Sequence, residues 1–283
     1  MARVRRGYLA APTGRIHYRH AGPDGDDAPA LVLFHESPLS SVIFERALPL
    51  LGERLRVWAF DTPGYGLSDP PPAPLEIPEY ARWLLQGIDA LGIDRFAAGG
   101  GHTGASLAIE VAALAGPERV SCVILSGVPL LAPEERAEYL ANWAPEMVLD
   151  ADGAYLRWAW ERYQRIWGPD DPALNTLAII QLLQVWDRYS WAYNAAFRHD
   201  PAPSLATLAC PILLLNSEDD LLNFTDPRAL ELAPHAKLVR VPGLRGQLPW
   251  RRPEVYADET IAFILGEPPR FRSAAAAEER RPL

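Results

Sequence analysis

Three features predict an α/β fold: apolar strands alternating with helices, a glycine-flanked turn between one strand and an Ala-rich helix, and a single long helical interruption. The expected architecture is a mainly parallel sheet of about eight strands covered on both faces, with a helical cap. Residues 15–20 alternate polar and apolar side chains and read as a strand. Continuous apolar runs at 30–34 and 55–60 read as buried strands. Residues 96–98, 120–125, 211–215 and 237–241 complete the set. Helical stretches fall at about 40–52, 78–92, 104–116, 226–233 and 253–265.

The alternation breaks between residues 132 and 205, which show helical periodicity and no good strand. This segment holds six of the nine tryptophans: Trp143, Trp158, Trp160, Trp167, Trp186 and Trp191. Many serve the segment's own small core, yet they outnumber what such a core needs. Trp143, Trp186 and Trp191 are therefore expected to line an aromatic-friendly substrate cavity. The expected organisation is a first core part over 1–131, a Trp-rich cap over 132–205, a second core part over 206–265 and a tail over 266–283.

Composition narrows the function. The 283 residues carry a net charge of −9 with both signs scattered and no basic stripe, which argues against nucleic acid or an anionic membrane as partner. Lys237 is the only lysine beside many arginines, a coding bias. Cys122 and Cys210 sit beside apolar strands and read as reduced thiols. The N-terminal stretch lacks a signal-type apolar core and no run reaches membrane-spanning length, so a cytoplasmic enzyme or binding protein is expected, as a monomer or homodimer. No His/Cys/Asp cluster has metal-ligand spacing and no phosphate loop appears, so neither metal nor cofactor is expected.

Four motifs, in order, carry a resemblance. His35-Glu36-Ser37-Pro38 follows one strand, and Asp61 opens a loop with Gly64, Gly66 and Ser68 after the next. Gly100-Gly101-His102-Thr103-Gly104 has the shape of a nucleophile elbow, and Ser217-Glu218-Asp219-Asp220 ends a later strand. Over roughly residues 8–265 the chain resembles the α/β-hydrolase fold superfamily. The resemblance implies a nucleophile at position 102, an acid at Asp220 and a histidine at position 247. It also implies an oxyanion hole from the backbone N–H groups of Ser37 and Thr103. The chain departs at two of these positions: His102 replaces the expected serine and Gln247 the expected histidine.

Glutamine is no base near neutral pH, so the acyl-serine route is disfavoured. Ser106, one turn into the helix, packs rather than attacks. His102 has the chemistry of a general acid, base or nucleophile. The expected arrangement has Asp220 holding one ring nitrogen, directly or through Gln247, and the other nitrogen facing substrate. Glu36, where the motif has glycine, is either a second acid/base group facing His102 or an outward side chain; Asp219 is an alternative acid. His199 is a lesser candidate for the cleft, His35 a structural turn residue, and His17 and His20 ordinary strand residues. The expected function is cofactor-free chemistry on an apolar, aromatic or polyketide-like carbonyl compound, of the kind used in secondary metabolism: a lyase, decarboxylase, cyclase or atypical hydrolase. The alternatives are a silent binding protein on the same fold and a hydrolase with a relocated base.

Overall fold

The structure, a computed structural model, describes residues 1–12, 14–25 and 27–270. The last part of the expected tail, 271–283, lies outside the described residues. Eight strands form one sheet: β1 (Arg5–Ala11), β2 (Gly14–Ala21), β3 (Ala30–Phe34), β4 (Arg56–Phe60), β5 (Phe96–Gly101), β6 (Val120–Ser126), β7 (Ile212–Ser217) and β8 (Lys237–Val241). Their order is β1-β2-β4-β3-β5-β6-β7-β8. β1 and β2 pair antiparallel, β2 joins β4 antiparallel, and every other pairing is parallel. Every residue of β3 is buried, as a central strand covered on both faces requires. β1 completes the eight; its half-exposed edge position leaves little apolar signal in Arg5-Arg6-Gly7-Tyr8.

The helices outside the long interruption are α1 (Leu48–Leu51), α2 (Ile77–Ala90), α3 (Thr103–Ala115), α9 (Asp226–Leu232), α10 (Leu248–Arg251) and α11 (Pro253–Leu265). The expected helix at 40–52 is a correction. It is a 3-10 turn, Ser41–Phe44, followed by the separate α1, because Pro49 has no N–H to donate and sits only in a helix's first turn. Between β6 and β7 run α4 (Pro133–Asn142), α5 (Ala154–Trp167), α6 (Pro172–Gln184), α7 (Ser190–Arg198) and α8 (Ala202–Thr207). This helical insertion is tied to the loop after β4. Arg188 donates to Gly64 O at 2.8 Å, Gln184 to Gly66 O at 2.5 Å, and the Tyr65 hydroxyl accepts from Ala192 N at 2.8 Å. Among the described residues no helix is long and apolar enough to cross a membrane.

The sheet register positions the site. Phe34 pairs with Gly100, and Gly101 with Ser126, so β3, β5 and β6 end at a common rim. The residues that step off that rim are Glu36, His102 and Gly127, with Asp220 arriving just after β7.

Candidate active site

The turn from β5 to α3 holds His102 at φ 51°, ψ −115°, a backbone region that L-residues with side chains rarely occupy. Such a conformation costs about 1–3 kcal/mol and persists only where its surroundings enforce it. Enforcement comes from both sides. His102 N donates to Ser126 O at 2.9 Å, extending the β5–β6 ladder, and Gly104 approaches the backbone of Phe34 too closely to carry a Cβ.

The His102 ring reaches Asp220 directly. Nε2 lies 2.9 Å from Oδ1 and 3.0 Å from Oδ2, while Leu222 N also donates to Oδ1 at 2.9 Å. Gly127 (φ 55°) makes room for this pair: a Cβ there would stand 2.7 Å from Nε2 and 2.9 Å from Asp220 Oδ1. Gly127 is itself fixed, its N–H donating to the buried Asn216 side chain at 2.8 Å. Neither Gly127 nor Asn216 was singled out in the sequence. A glycine one step beyond an apolar strand at the site rim was the available signal.

The second ring nitrogen does not face open space, contrary to expectation. His102 Nδ1 lies 3.3 Å from Glu36 Oε2. Gln247 does not bridge His102 and Asp220 either; its amide nitrogen donates to Glu36 Oε1 at 2.5 Å. The reason is the left-handed backbone of Gln247 (φ 56°) at the start of α10, on the Glu36 side of the ring. Glu36 is thus held between His102 and Gln247, with its backbone carbonyl accepting from His35 Nδ1 at 2.9 Å. His35 Nε2 accepts from Thr62 N at 2.9 Å, so His35 is a neutral latch on the turn.

The side chains of His102, Glu36 and Asp220 are 22%, 14% and 4% exposed. Burial alone pulls an imidazole toward its neutral form, but Asp220 and then Glu36 more than offset this and raise the His102 pKa to about 9. Burial pushes the Glu36 carboxyl up to about 7, with Asp220 adding repulsion and His102 and Gln247 acting against the rise. Burial also opposes charge on Asp220, yet His102 and the Leu222 N–H hold its pKa below the ordinary value. At neutral pH the site is therefore an Asp220 carboxylate, a His102 imidazolium and a Glu36 poised between its two forms.

A cavity of about 550 Å³, its open mouth included, begins at Glu36, His102 and Thr103. The helical insertion supplies its aromatic wall: Tyr139, Trp143, Tyr163, Trp167, Tyr193 and Phe197. Of the three tryptophans expected there, only Trp143 lines it. Trp186 is exposed, and Trp191 sits two residues from Tyr193, on the opposite face of α7 from the lining positions 193, 196 and 197. Ser37 is buried in the Glu36 turn, and Thr103 is the first residue of α3. Ser106 is fully buried in α3. His199 turns away and lies 3.2 Å from Glu110. No His/Cys/Asp/Glu group suited to a metal ion occurs among the described residues.

Comparison with known proteins agrees with this architecture. A family model for the α/β-hydrolase fold matches residues 29–154. Haloalkane dehalogenase 2 of Mycobacterium tuberculosis is 34% identical over 113 residues, 40% of this chain and only 38% of that protein. RutD of Klebsiella pneumoniae, named as a carbamate hydrolase, is 28% identical over 212 residues, covering 68% of this chain and 72% of its own. The crystal structure of an enol-lactonase from Burkholderia xenovorans superposes with a TM-score of 0.76 at 21% identity, covering 92% of this chain and 100% of that one. With the eight-stranded, mainly parallel sheet and the elbow after β5, the chain has the α/β-hydrolase fold.

Proposed function

We propose that this protein is a cofactor-free enzyme that moves a proton next to a carbonyl group of an apolar, aromatic or polyketide-like compound. Glu36 is the acid/base group and His102 the fixed cation beside it. The observation that carries this reading is the engagement of both His102 nitrogens, Nε2 on Asp220 and Nδ1 on Glu36. An imidazole so held has no free lone pair for nucleophilic attack. A carboxyl with a pKa near 7 is, by contrast, matched to general acid/base work at neutral pH.

In the proposed step the Glu36 carboxylate takes a proton from the carbon beside the carbonyl, leaving an enolate. The Ser37 and Thr103 N–H groups, the oxyanion hole that the resemblance implies, receive the enolate oxygen. The His102 imidazolium adds a positive charge that needs no reorganisation as the negative charge develops. The proton on Glu36 then returns to carbon or to a leaving group, which accommodates elimination and aldol-type cyclisation. The helical insertion acts as the cap that excludes water.

A second reading is hydrolysis, with water in place of the substrate carbon as the proton donor to Glu36. The names of the similar proteins, an enol-lactonase and a carbamate hydrolase among them, favour it. One pair of assays tests both. In D₂O the protein is expected to exchange the methyl protons of 2-acetylnaphthalene, followed by NMR, and the Glu36→Gln variant is not. Glu36-dependent hydrolysis of dihydrocoumarin without exchange selects the second reading. Absence of both activities removes the enzymatic reading in favour of a binding protein.

A further inference from the structure

Behind the aromatic wall of the cavity lies a buried cation that the chemistry above does not use. Arg162, on α5, is 7% exposed. Its guanidinium carbon lies over the rings of Trp143 at 4.9 Å, Trp158 at 5.5 Å and Tyr193 at 5.8 Å. Nη1 donates to Trp143 O at 2.7 Å. Nε and Nη2 are buried without a well-formed hydrogen bond, the Tyr193 hydroxyl being the acceptor nearby, and no carboxylate of the described residues pairs with this side chain. These two nitrogens share the edge whose N–H bonds run parallel, the edge that takes a carboxylate bidentately.

The neighbours repeat the pattern. Tyr163, next in the chain, lines the cavity, is almost fully buried and has a hydroxyl without a partner. Trp143 also lines the cavity, and its buried indole N–H makes no well-formed hydrogen bond, with the Tyr193 hydroxyl nearby. A buried donor left unpaired is costly, so each favours an acceptor. A guanidinium, an indole and a phenol all offer hydrogens, and Trp and Arg have nothing else to offer. At the opposite end the cavity meets Glu36 and His102, with the Asp220 carboxylate behind the ring, so two carboxyls flank one imidazole there.

We propose that the α5 wall is a carboxylate subsite: the substrate is an apolar aromatic body whose carboxylate binds Arg162 Nε and Nη2, with Tyr163 and Trp143 as further donors, while its reacting carbonyl lies toward Glu36. This deepens the proposed function and rests on it for the placement of the carbonyl alone. The rings of Trp143 and Tyr193 cover the guanidinium, so they part as the ligand enters. The charge gradient across the cavity, acidic at the sheet and basic at α5, sets the orientation of the substrate.

Binding tests this without turnover. Quenching of tryptophan fluorescence by 2-naphthoate and by methyl 2-naphthoate gives two dissociation constants for the full chain. The acid is expected to bind at least tenfold tighter than the ester, and the gap to shrink with rising salt. Arg162→Met is expected to abolish that preference, and Tyr163→Phe to reduce it by a few fold with the melting temperature little changed. Should Arg162→Met fail to fold, Tyr163→Phe and Arg162→Lys, which keeps the charge and loses the fork, carry the test by the same ratio. Equal binding of acid and ester by the unaltered protein overturns the subsite, as does a preference that survives Arg162→Met or that both substitute variants leave unmoved. A failure of 2-acetylnaphthalene exchange and of dihydrocoumarin hydrolysis leaves this ratio unaffected, so the two ideas fall separately.

Discussion

Among the described residues two His–Asp pairs occur, and only one of them touches the cavity. His17 Nδ1 lies 2.8 Å from Asp61 Oδ2, with both side chains sealed from solvent. His102 Nε2 lies 2.9 Å from Asp220 Oδ1. Asp61 also accepts backbone N–H bonds from Ser41 at 2.7 Å and Leu67 at 2.8 Å, and Gly66 passes so near that no Cβ fits. That carboxylate is a knot tying β2 to two loops. Asp220 carries a single backbone donor and faces a second carboxyl, Glu36, across the imidazole. Distance alone does not separate the pairs. What separates them is what surrounds the ring: saturated backbone donors in one case, an unbalanced negative charge and a cavity in the other.

The sharpest way to break the comparison is at the acids. Asp220→Asn is expected to lower turnover by about 10²- to 10⁴-fold, as loss of a positioned acid/base partner does, and to drop the His102 pKa from about 9 toward neutrality, read by NMR titration of the imidazole. Asp61→Ala is expected to leave the His102 titration in place while removing about 3 kcal/mol of stability in urea denaturation, because a buried pair loses one partner. If Asp61→Ala moves the His102 titration as far as Asp220→Asn does, the division between the two pairs is wrong.

The pH profile refines the same contrast. Glu36 acts as a base only when deprotonated, so the rate rises through pH about 7; the imidazolium is needed below its own pKa, so the rate falls above pH about 9. Glu36→Gln is expected to remove the lower limb from whatever residual rate remains. The smallest effect belongs to the insertion's outer face. Trp186→Ala is expected to change kcat/KM by less than about twofold, within the range of surface substitutions, whereas Trp143→Ala weakens naphthoate binding several-fold.

Glycines made much of this legible in the sequence. Gly100 and Gly104 around His102 announce a turn that ordinary residues cannot enter, and the strand-end Asp220 follows from the apolar run before it. What escaped depends on directions that a one-dimensional pattern does not hold. The sequence leaves both readings of Glu36 open, and the inward one holds because the His35 latch aims its turn; Gln247 joins Glu36 rather than Asp220 because of a left-handed backbone. Trp186 and Trp191 belong to an aromatic-rich segment, but only helical phase decides which rings turn inward. Arg162 reads as one more surface arginine until three rings are seen around it.

The His35 latch has a consequence for how the site tolerates its own chemistry. Glu36 gains and loses charge near neutral pH, and a backbone held by a similarly titrating group would shift with each cycle. His35 instead binds Thr62 N–H through an unprotonated nitrogen, and burial drives its pKa below the ordinary histidine value. Its proton inventory stays constant while the carboxyl one residue away fluctuates. The turn is electrically insulated from the group it carries, so a change of charge at Glu36 is felt by the substrate and by His102 rather than spent on moving the chain.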